Sequence, residues 1–203
     1  MAKERFMDTD PALTERIVST PEELDSAWID GPPVASGPIV IADYDPEWPE
    51  LYTRERDRIC GLLGETVVSI EHVGSTAVAG LAAKPVIDID LVVPDSADES
   101  AYVPRLESAG YRLIIREPNW HQHRLLKGPD TNINLHVFSP GSPELIRHVI
   151  FRDWLRMHVE DRDLYDRMKK SLADGQVDDI RAYTDAKDAV IDEICARAFA
   201  AAR

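Results

Sequence analysis

A chain of 203 residues with 44% hydrophobic residues and a net charge of −14 can bury one substantial core and holds two small domains at most. The acidity argues against wrapping a nucleic-acid backbone or lying on an anionic membrane, while leaving room for a local basic pocket that takes a small phosphorylated ligand. Cys60 and Cys195 make neither a disulfide framework nor a metal-ligand spacing. With no apolar signal core after Met1 and no transmembrane-length apolar run, the expectation is a reduced, soluble, cytoplasmic protein.

Residues 1–38 read as an N-terminal extension ahead of a main domain over 39–203. Within it Thr20-Pro21-Glu22-Glu23 is a capping box with proline at the first helical position, which predicts a short helix over 21–28. Gly31-Pro32-Pro33 ends that helix, and a linker runs to Pro38. The apolar run at 38–42 suggests an edge strand. Residues 50–63 have helical spacing with Leu51, Ile59, Leu62 and Leu63 inward and Gly64 as the stop.

Strands are expected over 66–73 and, more strongly, 85–93. Residues 96–109 suggest a helix closed by Gly110. Three further strands are expected over 111–116, 120–126 and 131–138, the last two forming a hairpin around 127–130. After Pro143 the chain turns helical, over 143–173 and again over 178–199, where Ile180, Tyr183, Val190, Ile191, Ile194 and Ala198 trace one face. Strands followed by helices make the fold α+β, a mixed sheet flanked by helices. Trp48, Trp120 and Trp154 are assigned to the core. Asp161, Asp163, Asp166, Asp178 and Asp179 are assigned to solvated helix faces.

Chemistry concentrates in one stretch. Gly74-Ser75-Thr76 lies between a strand and an expected helix start, where backbone N–H groups and a hydroxyl can cradle a phosphate. Twelve residues past Thr76, Asp88 and Asp90 sit two apart on a strand, so both carboxylates leave the same face. Such a pair repels unless a cation lies between its members. Mg²⁺ prefers oxygen ligands and commonly keeps substrate phosphates among them. Cations are scarce, which draws attention to Lys84 between the turn and the Asp pair, to Arg124, to Arg152 and Arg156 one turn apart, and to Lys187. Alternation puts Arg124 and His123 on opposite faces unless a bulge intervenes.

The segment from Ile70 to Ile89, with His72-Val73-Gly74-Ser75-Thr76 and Lys84-Pro85-Val86-Ile87-Asp88 at its heart, closely resembles the signature of the GrpB family. That family is assigned to the nucleotidyltransferase superfamily, whose fold is related to polymerase beta. Tyr44-Asp45-Pro46-Glu47-Trp48-Pro49, Leu135-His136-Val137, the run Phe151 to Arg156 and Tyr183-Thr184-Asp185-Ala186-Lys187 resemble further family motifs, so the likeness spans about 39–199. It implies a Gly-Ser phosphate turn, two carboxylates holding Mg²⁺ on the next strand, and a third carboxylate on a later strand. Here that later strand carries Asn134 and His136 on one face and no acid. His136 then takes the third-ligand place or acts as a base.

The leading expectation is a nucleotidyltransferase-like protein. It would bind a Mg²⁺–nucleoside triphosphate and transfer a nucleoside monophosphate to a small-molecule acceptor, with no nucleic-acid or membrane partner. Asp88, Asp90 and His136 would be the metal ligands and catalytic groups. Gly74, Ser75, Thr76, Lys84, Arg124, Arg152 and Lys187 would contact the nucleotide. Two alternatives stand beside it. The first is a non-catalytic module binding a nucleotide or a coenzyme-A-related molecule, which the missing acid favours. The second is a zinc hydrolase using His121, His123 and His136, should the hairpin place all three on one face.

Overall fold

The computed structural model describes residues 17–32, 40–174 and 180–201. Helix α1 spans Pro21–Ala27, and its capping box forms as the sequence dictates: the Glu23 N–H donates to Thr20 Oγ1 at 3.2 Å and the Thr20 N–H to Glu23 Oε2 at 2.9 Å. Beyond it, Trp28 makes an antiparallel bridge with Ile115, and the Ile29 N–H donates to the Ile114 carbonyl at 3.1 Å. The extension thus lies along an edge of the main sheet. Pro38 and Ile39 of the expected edge strand lie outside the described residues. Ala42 makes a single bridge, to Ala83.

Helix α2 (Trp48–Leu63) buries Trp48, Glu55, Ile59 and Leu63 in one stripe. Gly64, at φ +56°, donates its N–H to the Cys60 carbonyl and ends the helix. Glu55 tolerates full burial because Tyr111 Oη donates to its Oε2 at 2.6 Å and Thr131 Oγ1 to its Oε1 at 2.9 Å.

Five strands form one mixed sheet in the order β1-β2-β5-β4-β3. They are β1 (Ser69–Val73), β2 (Ile87–Val92), β3 (Arg112–Glu117), β4 (His123–Lys127) and β5 (Ile133–Phe138). The central pair β2/β5 is parallel, and every other pairing is antiparallel. On one face Ile87, Ile89, Leu91, Ile133, Leu135 and Val137 are all but sealed from water and pack with Ile59 and Leu63 of α2 and with Val103 and Leu106 of α3 (Val103–Ser108). Each such side chain contributes roughly 1.5–3 kcal/mol on burial. The other face is covered by α4 (Pro143–Met157), α5 (Val159–Asp174) and α6 (Ile180–Ala201), which share a core of Leu155, Tyr165 and Ile194 with Val78 and Leu81.

Several local expectations change. The helix expected over 96–109 is broken: Ser96 Oγ bonds the Gln122 carbonyl and a short 3-10 turn occupies Glu99–Ala101, so only α3 is helical. The strand expected from residue 120 begins at His123, because His121 and Gln122 take left-handed backbone at φ +54° and +53°. No α-helix follows the Gly-Ser turn; Ser75–Ala77 is one 3-10 turn. Of the tryptophans, Trp48 is in the core, while Trp120 and Trp154 are half-buried. Asp161 and Asp166 do more than face solvent. Asp161 accepts from Trp154 and Arg197 and so ties three helices together, while Asp166 accepts from the Ala82 N–H and anchors the loop ahead of β2. Asp178, Asp179 and the side chains of Ile180 and Tyr183 lie outside the described residues.

Candidate functional site

The site grows from the alternation of β2 and β5. Register sets Asp88 beside Asn134 and Asp90 beside His136, all on the face turned toward α4–α6. Between this face and the helices lies a cleft of about 970 Å³. Its lining includes Gly74, Ser75, Thr76, Lys84, Asp88, Asn134, His136 and Lys187, and Trp28 of the extension adds to the wall.

Gly74 opens the turn at φ +69°, and a Cβ there would collide with Asp88 Oδ2. Only glycine lets the turn come this close to the carboxylate. Thr76 is turned inward: it bonds His72 Nε2 at 3.0 Å and donates to the Val86 carbonyl at 3.2 Å. Asp88 Oδ1 accepts from Asn134 Nδ2 at 2.7 Å, and Lys127 fixes the amide by donating to Asn134 Oδ1 at 2.6 Å. Burial would raise the Asp88 pKa, but His136, Asn134 and Lys187 outweigh it and hold the carboxyl below its usual value.

Asp90 is 1% exposed. His148, on α4, bonds its Oδ2 at 2.9 Å, while Oδ1 is buried without a hydrogen-bond partner. Burial opposes charge on His148, yet Asp90 and Glu144 prevail and raise its pKa.

His136 joins a buried line of polar groups. Its Nδ1 lies 3.0 Å from His123 Nε2, and His123 Nδ1 lies 2.6 Å from Glu117 Oε2. Burial, reinforced by the neighbouring imidazoles, lowers the His123 pKa well below the ordinary value.

The sequence-predicted residues divide. Gly74, Ser75, Thr76, Lys84, Asp88, His136 and Lys187 meet in the cleft, with Asp90 beside them on the same face. Arg124 does not join them. It points through the opposite face to Glu99, with Nε–Oε1 at 2.6 Å, as strict alternation with His123 requires. Arg152 is also spent elsewhere, donating to Glu71 Oε2 at 2.9 Å and to the His72 carbonyl at 2.8 Å.

The zinc reading loses its geometry, because His121 sits in the left-handed turn. The third imidazole near His136 is His148, with ring centroids 6.1 Å apart. Asp88, Asp90 and His136 do not close into a cage either. Among the described residues no group of three or more His, Cys, Asp or Glu side chains is arranged to hold a metal, since Asp90 is engaged by His148. An open site completed by water and ligand oxygens suits Mg²⁺ nonetheless, and the orphaned Asp90 Oδ1 fits a cation.

Sequence reasoning missed Glu117, Lys127, Glu144, His148 and Lys169. Glu144 and His148 are one turn apart on α4, which was a readable signal. Lys169 is buried beside the cleft, donates to the Ala82 carbonyl and stands 4.6 Å from the Tyr165 ring centroid. Burial, against the pull of Asp166, lowers its pKa to about 7, and burial together with Lys187 lowers that of Lys84 to about 8.

Fold and cleft together define an α+β domain whose mixed sheet carries an acidic pair beside a glycine turn. The GrpB protein family matches residues 38–197, and the chain belongs to that family. It is 50% identical over 191 residues to a UPF0157 protein of Halalkalibacterium halodurans, covering 93% of this chain and 98% of the relative. The crystal structure of the conserved protein GrpB from Enterococcus faecalis aligns with a TM-score of 0.71 and 32% identity over 79% of this chain and 97% of that one. A dephospho-CoA kinase of Mycolicibacterium paratuberculosis is 29% identical over 181 residues, 76% of this chain but 44% of the kinase. Among the described residues no helix is long and apolar enough to cross a membrane.

Proposed function

We propose that the cleft binds a nucleoside triphosphate with a divalent cation and transfers its nucleoside monophosphate to a small-molecule acceptor. The observation that carries this reading is the contact of the Gly74 turn with Asp88. It brings the turn against the carboxylate of the acidic pair, and Lys84 and Lys187 line the same cleft. In an acidic chain, cations gathered in one cleft favour an anionic ligand. Asp88 and Asp90 would hold the cation, whose contribution is to neutralise phosphate charge. Ser75 and Lys84 would orient the terminal phosphates. An acceptor hydroxyl oxygen would bond to the α-phosphorus as its bond to pyrophosphate breaks, and the hydroxyl proton would leave to a base.

A second reading is favoured by β5, whose cleft face carries Asn134 and His136 and no carboxylate, the Asn134 amide being committed to Lys127 and Asp88. In it the cleft binds without turnover. The likeness to part of a dephospho-CoA kinase favours a coenzyme-A-related ligand for such a module. Thermal shift with each nucleoside triphosphate, with and without Mg²⁺, tests both: a ligand of the native state raises the melting point with concentration. Pyrophosphate release then separates transfer from binding. No shift with any nucleotide would remove the first reading.

A further inference from the structure

The half of the cleft away from the glycine turn has a chemistry of its own. Register sets Asp88, Asn134, Lys127 and Arg112 in one row across β2, β5, β4 and β3, and His136, Leu125 and Ile115 in the next. At about 4.8 Å per strand, the first row runs about 14 Å from Asp88 to Arg112. Leu125, beside His136, and Ile115, one strand further out, make an apolar floor at this end of the cleft.

Trp28 stands beyond that floor and lines the cleft with it. Backbone pairing holds it there: Trp28 bridges Ile115, and the next N–H donates to the Ile114 carbonyl at 3.1 Å. Its side chain is half-buried, so indole surface remains for a ligand. Trp28 also lies outside residues 38–197, the part that matches the GrpB family. This end of the cleft is therefore completed by the N-terminal extension and not by the family domain.

Two cations border the floor. Arg112 and Lys127 stand directly opposite one another on β3 and β4, and both line the cleft. Like charges so placed repel, and an anion between them relieves the repulsion. Asp30 lines the same end, and its single charge offsets only one of them.

We propose that this end of the cleft is a subsite for a planar aromatic anion, its ring packed between Trp28 and the Leu125–Ile115 floor and its acid group at Arg112. A flat ring is the partner that an indole face stacks with best. A nucleobase is uncharged near neutral pH and gains little from paired cations, so the occupant is the acceptor and not the nucleoside. That assignment rests on the transfer proposed above; the subsite itself does not. Leu125 lies two strands from Asp90, about 10 Å, so one small molecule can reach from the floor to the acidic pair.

The test is titration of the full chain with 2-naphthoate and with its neutral counterpart 2-naphthamide, followed by saturation-transfer NMR and calorimetry. Naphthoate is expected to bind, and naphthamide about 2–5-fold more weakly, the worth of an exposed charge pair. Trp28→Ala should weaken naphthoate roughly tenfold or more, and Trp28→Phe, which keeps a ring, should recover most of the loss. Arg112→Gln changes an exposed side chain. It should bring naphthoate down to the affinity of naphthamide and leave naphthamide unchanged. Naphthoate should still bind when ATP and Mg²⁺ are present. Competition between the two would assign the subsite to the nucleoside and overturn the acceptor. Naphthoate binding in a chain that does not bind ATP would uphold the subsite and remove the transfer reading alone. No naphthoate binding at millimolar concentration, equal affinity for the amide, or native affinity in Trp28→Ala would each overturn the proposal.

Discussion

The two faces of β2 and β5 have the same backbone, the same flanking strands and opposite chemistry. One presents Ile87, Ile89, Leu91, Ile133, Leu135 and Val137, each at most 1% exposed; the other presents Asp88, Asp90, Asn134 and His136. A parallel pair covered by helices on both sides ordinarily reads as a continuous apolar run. Here α2 and α3 cover one face and α4–α6 the other, yet every second residue from 88 to 90 and from 134 to 136 is polar. Placing polar groups on a covered face is costly unless each finds a partner. The His148–Asp90 and Asn134–Asp88 bonds are those partners. The contrast shows that alternation in a doubly covered strand marks a site rather than a solvent face.

The contrast breaks most visibly when a core side chain is cut back. Leu135→Ala should cost about 2–5 kcal/mol in urea unfolding. His136→Ala, one residue on, should cost far less, since its side chain is 22% exposed and rests in the cleft. Equal losses would mean that the cleft residues are ordinary core.

The apolar side also holds a buried histidine. His72 stacks on Tyr52 of α2, centroids 4.7 Å apart, and burial lowers its pKa from 6.5 to about 4, with Arg156 and Arg152 adding to the effect against Asp88. The unfolded chain binds this proton more readily than the native one, so the neutral ring favours folding above pH 6.5. That advantage is lost as pH falls from about 6.5 to about 4. The loss should reach about 3 kcal/mol at most. His72→Gln should flatten that part of the stability–pH profile, and a profile identical to the native one would place the transition on other groups.

A smaller effect isolates the contact between turn and carboxylate. Gly74→Ala carries both left-handed strain and a collision with Asp88, at about 1–3 kcal/mol. Gly80→Ala, at φ +77° with nothing within 4 Å of the added carbon, carries the strain alone, about 1–2 kcal/mol. The excess at Gly74 measures how tightly the turn is held on Asp88.

Much of this architecture was legible because it is local. The Thr20 capping box, the Gly64 stop and the period-two pattern of β2 and β5 each sit within a few residues. Alternation already placed Arg124 opposite His123. What escaped was non-local or conformational. The partnership of His148 with Asp90 joins residues 58 apart in sequence, and no periodicity connects them. The left-handed pair His121–Gln122 has no glycine to announce it, and it moved His121 off the strand. The helix expected over 96–109 lost its start to side-chain bonds between Ser96 and a distant loop, and propensity does not register such competition.

The finest probe asks whether the polar face stabilises its own charge. Two adjacent carboxylates suggest, on repulsion alone, that neutralising them would stabilise the chain. The surroundings of Asp88 argue otherwise. His136, Asn134 and Lys187 outweigh burial and depress its folded pKa below 3.8, so the native state holds the charged form better than the unfolded chain does. Asp88→Asn is therefore expected to lower stability, and only slightly, by about 1 kcal/mol or less, because the side chain is 29% exposed and partly screened. The sign fixes the pH window. The deficit should be present above about pH 4 and should fade as acid protonates the native carboxyl, where the two chains become alike. Urea midpoints of both proteins across that range check it. A variant more stable than the native chain at neutral pH would show that repulsion from Asp90 outweighs every partner that the structure gives Asp88.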